Sequence, residues 1–413
     1  MVKPSGKDRP SPPHYRIPVV RRLLLLLAVA GLLVWGYGLR NGDEIRDGLI
    51  PKPSTDANAR AVGANGISFT TTAADPNLEP VDCLELLDSY RKGEIAQLRD
   101  HSDLLPYHKS YVRLTTTEIP FYLSTSDANV DHIRAGIFKS GDYYEKVMTE
   151  TMQTIIRGVS DRMKARNHKI RPIMLDVGGN VGWFSMVSAA HGAEVFVFEP
   201  NVVNMVRLCE SSVLNGWTAS PNPSHNRVHP YLKGVGDEHG SREVMYKVDP
   251  KNPGSFSFSK ETAENYASQF GKADALGDRL QLVTLDALAR DQNWLDDDNA
   301  TTTIAILKID VEGLELKVLM GAQKLLKSHK VEYIFLEWKK DQVNNWEAMS
   351  TILLRSGYVL YKFGAHFGPR EFVTTKYASG KELAMDIAAI VKKRGDWENT
   401  NVLFRLAVIE GEE

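Results

Sequence analysis

Cysteine is scarce in this chain of 413 residues, with only Cys83 and Cys209. Two thiols cannot build a disulfide scaffold or close a cysteine-rich zinc site, though they can pair with each other or stay reduced. An excess of charge is also missing. Lys plus Arg number 50 and Asp plus Glu 52, for a net charge of −2, so no global basic field draws in nucleic acid. His191, His225, His229 and His239 lack metal-ligand spacing, and no internal repeat is evident. Charged residues make up 25% and the aliphatic, aromatic and Cys set 43%. Those are ordinary globular values, which exclude a wholly disordered or collagenous chain.

Long hydrophobic runs are absent but for Leu23 to Leu39, LLLLLAVAGLLVWGYGL. At α-helical rise this run is about 25 Å long, near the lower limit of a bilayer span. It reads as an uncleaved signal anchor. A cleaved signal peptide would end its apolar core near Ala28-Val29-Ala30, but here the run continues beyond it. Residues 1–22 hold Lys3, Lys7, Arg9, Arg16, Arg21 and Arg22 against Asp8. The positive-inside rule therefore keeps this tail cytosolic and sends the rest of the chain across, giving a type II arrangement. A sequon at Asn299-Ala300-Thr301 agrees with a lumenal body. Residues 40–80 are poor in large apolar groups and read as a flexible stem. Residues 81–165 read as a helical and strand extension, with a helix near Val81–Leu87, strand character over 111–124 and a longer helix over 142–166. Residues 166–413 read as the catalytic domain.

From residue 170 the pattern alternates short apolar strands with helical windows. Strands are expected at 173–176, 193–199, 228–235, 304–310, 331–337, 358–363 and 402–407. Helices are expected at 181–191, 201–215, 314–326 and 342–356. The segment 240–285 breaks the alternation and reads as an inserted hairpin and loop. This is an α/β pattern with a parallel sheet covered on both faces, and Pro230 restricts its strand to an edge.

The turn Asp176-Val177-Gly178-Gly179-Asn180-Val181-Gly182 follows one strand and opens a helix, and Glu199 ends the next strand 23 residues after Asp176. A carboxylate at that place can accept from both hydroxyls of a ribose. A dinucleotide fingerprint would need a glycine at Val177, and a carboxylate at Asp176 would repel a pyrophosphate. The same carboxylate would welcome the cationic end of S-adenosylmethionine. A plain tight turn is the bland alternative. The block Lys308-Ile309-Asp310-Val311-Glu312-Gly313 closes a later strand. If this strand and the first flank the point where strand order reverses, Asp310 and Glu312 face the turn across one crevice. They could instead only cap the following helix.

The segments DVGGNVG (176–182), FEPN (198–201), LNG (214–216), VTLDAL (283–288), KIDVEGLELKVLMGA (308–322) and FLEW (335–338) resemble the FkbM family of S-adenosylmethionine-dependent methyltransferases. The resemblance spans about 170–340. It implies a seven-stranded Rossmann-like sheet of order 3-2-1-4-5-7-6 with the last strand antiparallel. It implies that Asp176, Gly178, Gly179, Asn180 and Gly182 line the methionine end of the donor. Glu199, with Asn201 nearby, would hold the ribose, and Gly236 and Asp237 would lie by the adenine. Asp310 joins that binding set. Asp310, then Glu312, then Glu337 are the candidates for a base acting on the acceptor. The family often has a His after the last of these, where this chain has Trp338. No metal is expected, because no His completes a ligand set around Asp310, Glu312 and Asp286. The expected activity is methylation of a hydroxyl, on a glycan or similar acceptor, in the Golgi or endoplasmic reticulum. The alternatives are a lumenal glycosyltransferase using Asp296-Asp297-Asp298, although a solvated charge run explains those acids more simply, and a catalytically silent scaffold of the same fold. Oligomeric state is not legible.

Overall fold

The computed structural model describes residue 75 and residues 78–95, 110–126, 135–137, 143–166, 170–218, 225–249, 252–257, 275–296, 302–338, 340–363, 377–394 and 400–407. The chain divides into two units, Met1–Thr70 and Thr71–Glu413, and every described residue belongs to the second. The expected tail, the apolar run 23–39, most of the stem and the sequon lie outside the described residues. Among the described residues no helix is long and apolar enough to cross a membrane.

The elements in chain order are α1 (Cys83–Lys92), β1 (Tyr111–Leu114), β2 (Tyr122–Thr125), α2 (Lys146–Ala165), β3 (Ile173–Val177), α3 (Trp183–Ala190), β4 (Glu194–Phe198), α4 (Val202–Leu214), β5 (Val228–Tyr231), β6 (Gly234–Val235), β7 (Arg242–Asp249), β8 (Asn252–Ser257) and β9 (Ala275–Val283). They continue with α5 (Leu285–Asp291), β10 (Ile304–Ile309), α6 (Glu315–Met320), α7 (Gln323–Lys327), β11 (Val331–Trp338), α8 (Trp346–Arg355), β12 (Tyr358–Phe363), α9 (Gly380–Arg394) and β13 (Thr400–Leu406).

Seven strands form the main sheet, in the order β12-β13-β11-β10-β3-β4-β5. Numbered within the sheet in chain order, this is the expected 3-2-1-4-5-7-6. β13 runs antiparallel to both β11 and β12, and the pairings from β11 through β5 are parallel. Every residue of β3 and of β10 is buried, as unbroken apolar strands covered on both faces require. The parallel register sets Lys308 beside Asp176. This pairing of neighbours on central strands is what builds the site.

β5 is the outer strand, and Pro230 lies in it. Its free edge is met from the N-terminal side, where Val81 N donates to Pro230 O at 2.7 Å. Helix α1 begins at Asp82, whose carboxylate accepts from Leu84 N and Glu85 N, and ends at Gly93 with φ 69°. A disulfide joins Cys83 of α1 to Cys209 of α4, with Cα atoms 5.2 Å apart. Arg207 of α4 is buried and donates to Glu210 at 2.7 Å and to Tyr90 of α1 at 2.9 Å. The β1–β2 hairpin binds the other end of α4, with Tyr122 N donating to Asn215 Oδ1 and Ser124 N to Ser211 Oγ.

Several elements differ from the sequence reading. The expected strand 228–235 is two strands, and only β5 joins the main sheet. β6 instead pairs with β9 in a four-stranded sheet of order β6-β9-β7-β8, so the expected hairpin and loop at 240–285 is a second sheet. The expected helix 314–326 is split into α6 and α7. The break falls at Gly321, where a Cβ would meet Gly236 O at 2.0 Å. Asp286 accepts from Lys324 N and Leu325 N and so caps α7. Helix α9 was not anticipated at all.

Candidate active site

The site is built at the carboxyl ends of β3, β4, β10 and β11, where the sheet order reverses between β3 and β10. The Gly-rich turn leaves β3 with Gly178 N and Gly179 N both donating to Phe198 O at 3.0 Å. Gly178 has φ 84°, and a Cβ on it would lie 1.8 Å from Asp310 O. No other residue lets the two strand ends approach this closely. Asn180 follows with φ 50°.

Glu199 locks this turn. Its Oε2 accepts from Asn180 N at 2.7 Å and its Oε1 from Asn201 N at 2.8 Å. Asn201 in turn caps α4 by accepting from Val203 N. Its Oε1 also accepts from Asn204 Nδ2 at 3.4 Å, so Oε2 is the oxygen with a second lone pair for a hydroxyl donor. Burial raises the Glu199 carboxyl to about 7, with the backbone N–H groups of Asn201 and Asn180 opposing the shift.

Lys308 organises the other side. Its Nζ lies 3.2 Å from Asp310 Oδ2 and 3.6 Å from Asp176 Oδ1, donates to Gly178 O at 3.2 Å, and sits over the Phe184 ring. Burial works against its charge, but Asp310 and Asp176 more than offset it and hold the ammonium well into its protonated range. Asp176 was expected at the mouth of the turn. It is instead wholly buried beneath it, because every residue of β3 is enclosed. Its Oδ2 accepts from Ser185 Oγ at 2.6 Å, and burial pushes its carboxyl up against the pull of Lys308. Asp310, with its side chain 37% exposed, is the carboxylate that stands at the mouth.

The block after β10 is held by Glu315, a residue within the KIDVEGLELKVLMGA segment that no motif marks for this role. Glu315 is buried, and its carboxylate accepts from Val311 N and Gly313 N. Glu312 takes φ 53° and Gly313 φ 107° between these contacts. Glu337 lies buried near the end of β11, opposite Asn401 of β13. Gly236 and Asp237 follow β6 off the main sheet. There Gly236 N donates to Val283 O, and Asp237 lies 4.0 Å from Lys317 of α6.

Tyr144 and Glu145, just before α2, join the same rim and carried no sequence motif. Burial raises the Tyr144 phenol well above its usual range, and the negative charges of Glu145, Asp310, Glu337 and Glu312 add to the shift. The phenol therefore marks where the carboxylates of three elements converge. Of the rival Asp296-Asp297-Asp298 triad only Asp296 is described, and it is exposed.

A crevice with buried and half-buried carboxylates around a Gly-rich turn, on a 3-2-1-4-5-7-6 sheet, is the arrangement of the S-adenosylmethionine-dependent methyltransferase fold. Residues 176–360 match the model of the Methyltransferase FkbM domain. No curated protein matches the chain. Among solved structures it is similar to WbdD, a bifunctional kinase-methyltransferase, at 11% identity and TM-score 0.32, covering 68% of this chain and 44% of that one. It is also similar to a SAM-dependent methyltransferase from Agrobacterium tumefaciens, at 12% identity and TM-score 0.26, covering 55% and 52%. A third likeness is a putative RNA methyltransferase from Pyrococcus horikoshii, at 10% identity and TM-score 0.25, covering 57% and 75%. The chain thus spans less than half the length of WbdD.

Proposed function

We propose that this chain transfers a methyl group from S-adenosylmethionine to a hydroxyl of a neutral acceptor, such as a glycan, in the secretory pathway. The observation that carries the reading is Glu199, at the end of β4 and locked by Asn180 N and Asn201 N, with Asp310 half-exposed at the mouth of the Gly-rich turn. The carboxylate chemistry fits the donor. Glu199 Oε2 has a lone pair for a ribose hydroxyl, and Asp310 suits the amino-acid ammonium and the nearby sulfonium. When bound, the donor supplies a methyl group on a positively charged sulfur. The protein orients it: Gly178 and Gly182 let the backbone come close, Lys308 fixes Asp310, and buried strand ends exclude water. Asp310, Glu312 and Glu337 line the rim that the acceptor would approach. The Cys83–Cys209 bridge supports an oxidising compartment, in keeping with the type II reading of residues 1–39.

The test is calorimetric titration of the full-length chain with S-adenosylmethionine, S-adenosylhomocysteine and NAD. Binding of the first two and not the third is expected, weakened at least tenfold for S-adenosylmethionine in Asp310→Asn. Failure of a folded chain to bind either would remove the methyltransferase reading. Binding without turnover on any hydroxyl acceptor would favour a silent scaffold.

A further inference from the structure

We propose that Glu145, at the N-terminal end of α2, is the base that takes the acceptor's hydroxyl proton. This rests on the methyltransferase reading above and deepens it.

Four observations single out Glu145. Its backbone takes φ 41° and ψ 60°, an unfavourable conformation for a residue with a Cβ. A Glu in the N-cap position of a helix would ordinarily turn its carboxylate onto the helix N–H groups, and this one makes no such bond. The carboxylate instead accepts from Asn401 Nδ2 at 3.2 Å and from the Tyr144 phenol. Asn401 stands opposite Glu337 in the β11–β13 pairing, so this contact ties α2 to the β11 side of the crevice, away from the turn that Glu199 locks. The residue as a whole is also solvent-accessible, although its carboxyl end is enclosed, and a bulky acceptor can reach it.

Three of the other carboxylates are already committed. Asp310 is ion-paired to Lys308, Asp176 is sealed under the turn, and Glu199 is held by two backbone N–H groups. The groups that act on Glu145 are Asp310 and Lys308 from β10 and its following turn, and Tyr144 beside it; Glu312 and Glu337 reach the same phenol. Burial of the carboxyl end, then the charge of Asp310, raise it to about 7, against Lys308 and the Tyr144 bond. A carboxylate with that affinity for a proton is a far better base near neutrality than an ordinary one.

The step balances simply. The acceptor oxygen attacks the methyl carbon, the carbon–sulfur bond breaks with its electrons going to sulfur, and the hydroxyl proton passes to Glu145. The products are a methyl ether, a neutral thioether and a protonated carboxyl, which returns its proton to water.

The experiment uses full-length wild type, Glu145→Gln and Glu145→Asp, with tritiated-methyl S-adenosylmethionine and a panel of methyl glycosides of neutral hexoses. Thermal unfolding and S-adenosylhomocysteine titration accompany each variant. The expected result is a loss of about 100-fold or more in kcat for Glu145→Gln, with S-adenosylhomocysteine affinity within twofold of wild type. Glu145→Asp recovers part of the rate. The wild-type rate rises with pH through about 7, and this limb is absent from Glu145→Gln. Turnover by Glu145→Gln within fivefold of wild type, or an unchanged pH limb, overturns the assignment and leaves the methyltransferase reading intact. A wild-type chain that binds S-adenosylhomocysteine but methylates no glycoside overturns the hydroxyl-acceptor reading, and this base with it.

Discussion

The two halves of the crevice are built on opposite principles. On the β3–β4 side the polar groups are buried and matched: Glu199 by two backbone N–H groups, Asp176 by Ser185 and Lys308. On the β10–β11 side, Glu145 and Glu312 sit at positive φ, Asp310 is half-exposed, and acids from three elements crowd one phenol. A preorganised wall suits one invariant ligand, and an open acidic rim suits a partner that must enter and leave. Lys308 is the joint between them, touching both Asp176 and Asp310.

Breaking that joint should have the largest effect. Lys308→Met leaves Asp176 buried beside no cation and frees Asp310. A loss of about 3–5 kcal/mol in urea-unfolding stability is expected, together with loss of donor binding. A stable variant that still bound the donor would mean the halves are independent.

The next effect is in pH. Glu199 is fully enclosed and raised to about 7, above its unfolded value. The folded chain therefore holds more protons than the unfolded one between about 4.5 and 7, and stability falls as pH rises through that window. Unliganded protein should be more stable at pH 5.5 than at 7.5, by about 2 kcal/mol from this group. Glu199→Gln should remove this share of the difference in melting temperature. A difference that Glu199→Gln left unchanged would mean that the β3–β4 wall does not enclose this acid.

The smallest effect sharpens the rim alone. Glu315→Gln keeps one acceptor for the N–H groups of Val311 and Gly313 and loses the other. A cost of about 1–2 kcal/mol is expected, with S-adenosylhomocysteine affinity changed less than threefold and acceptor KM raised.

Much of the β3–β4 wall was legible beforehand because it follows from strand ends. Apolar runs located the seven strands, Pro230 located the edge, and the spacing from Asp176 to Glu199 located the turn. Asp176 was misplaced because its position before a turn suggested exposure, while the enclosure of β3 on both faces decides otherwise. The β10–β11 rim was less legible. Tyr144-Glu145 reads in sequence as an ordinary helix start, and only the meeting of α2 with β13 gives it neighbours. Glu315 is likewise an unremarkable acid in a first helical turn until the backbone folds over it. The split at Gly321 depends on a backbone contact with Gly236, 85 residues earlier, which no local pattern records.

The disulfide between α1 and α4 also sets how the domain carries mechanical load. Tension arriving from the N-terminal side reaches Cys83 and crosses at once to Cys209, 126 residues further along. The hairpin, α2, the Gly-rich turn and Glu145 all lie in the bypassed length and are spared the pull. Reduction would return roughly 400 Å of extensible chain to the line of force, so the oxidised bridge shortens the path a pull must take through the fold.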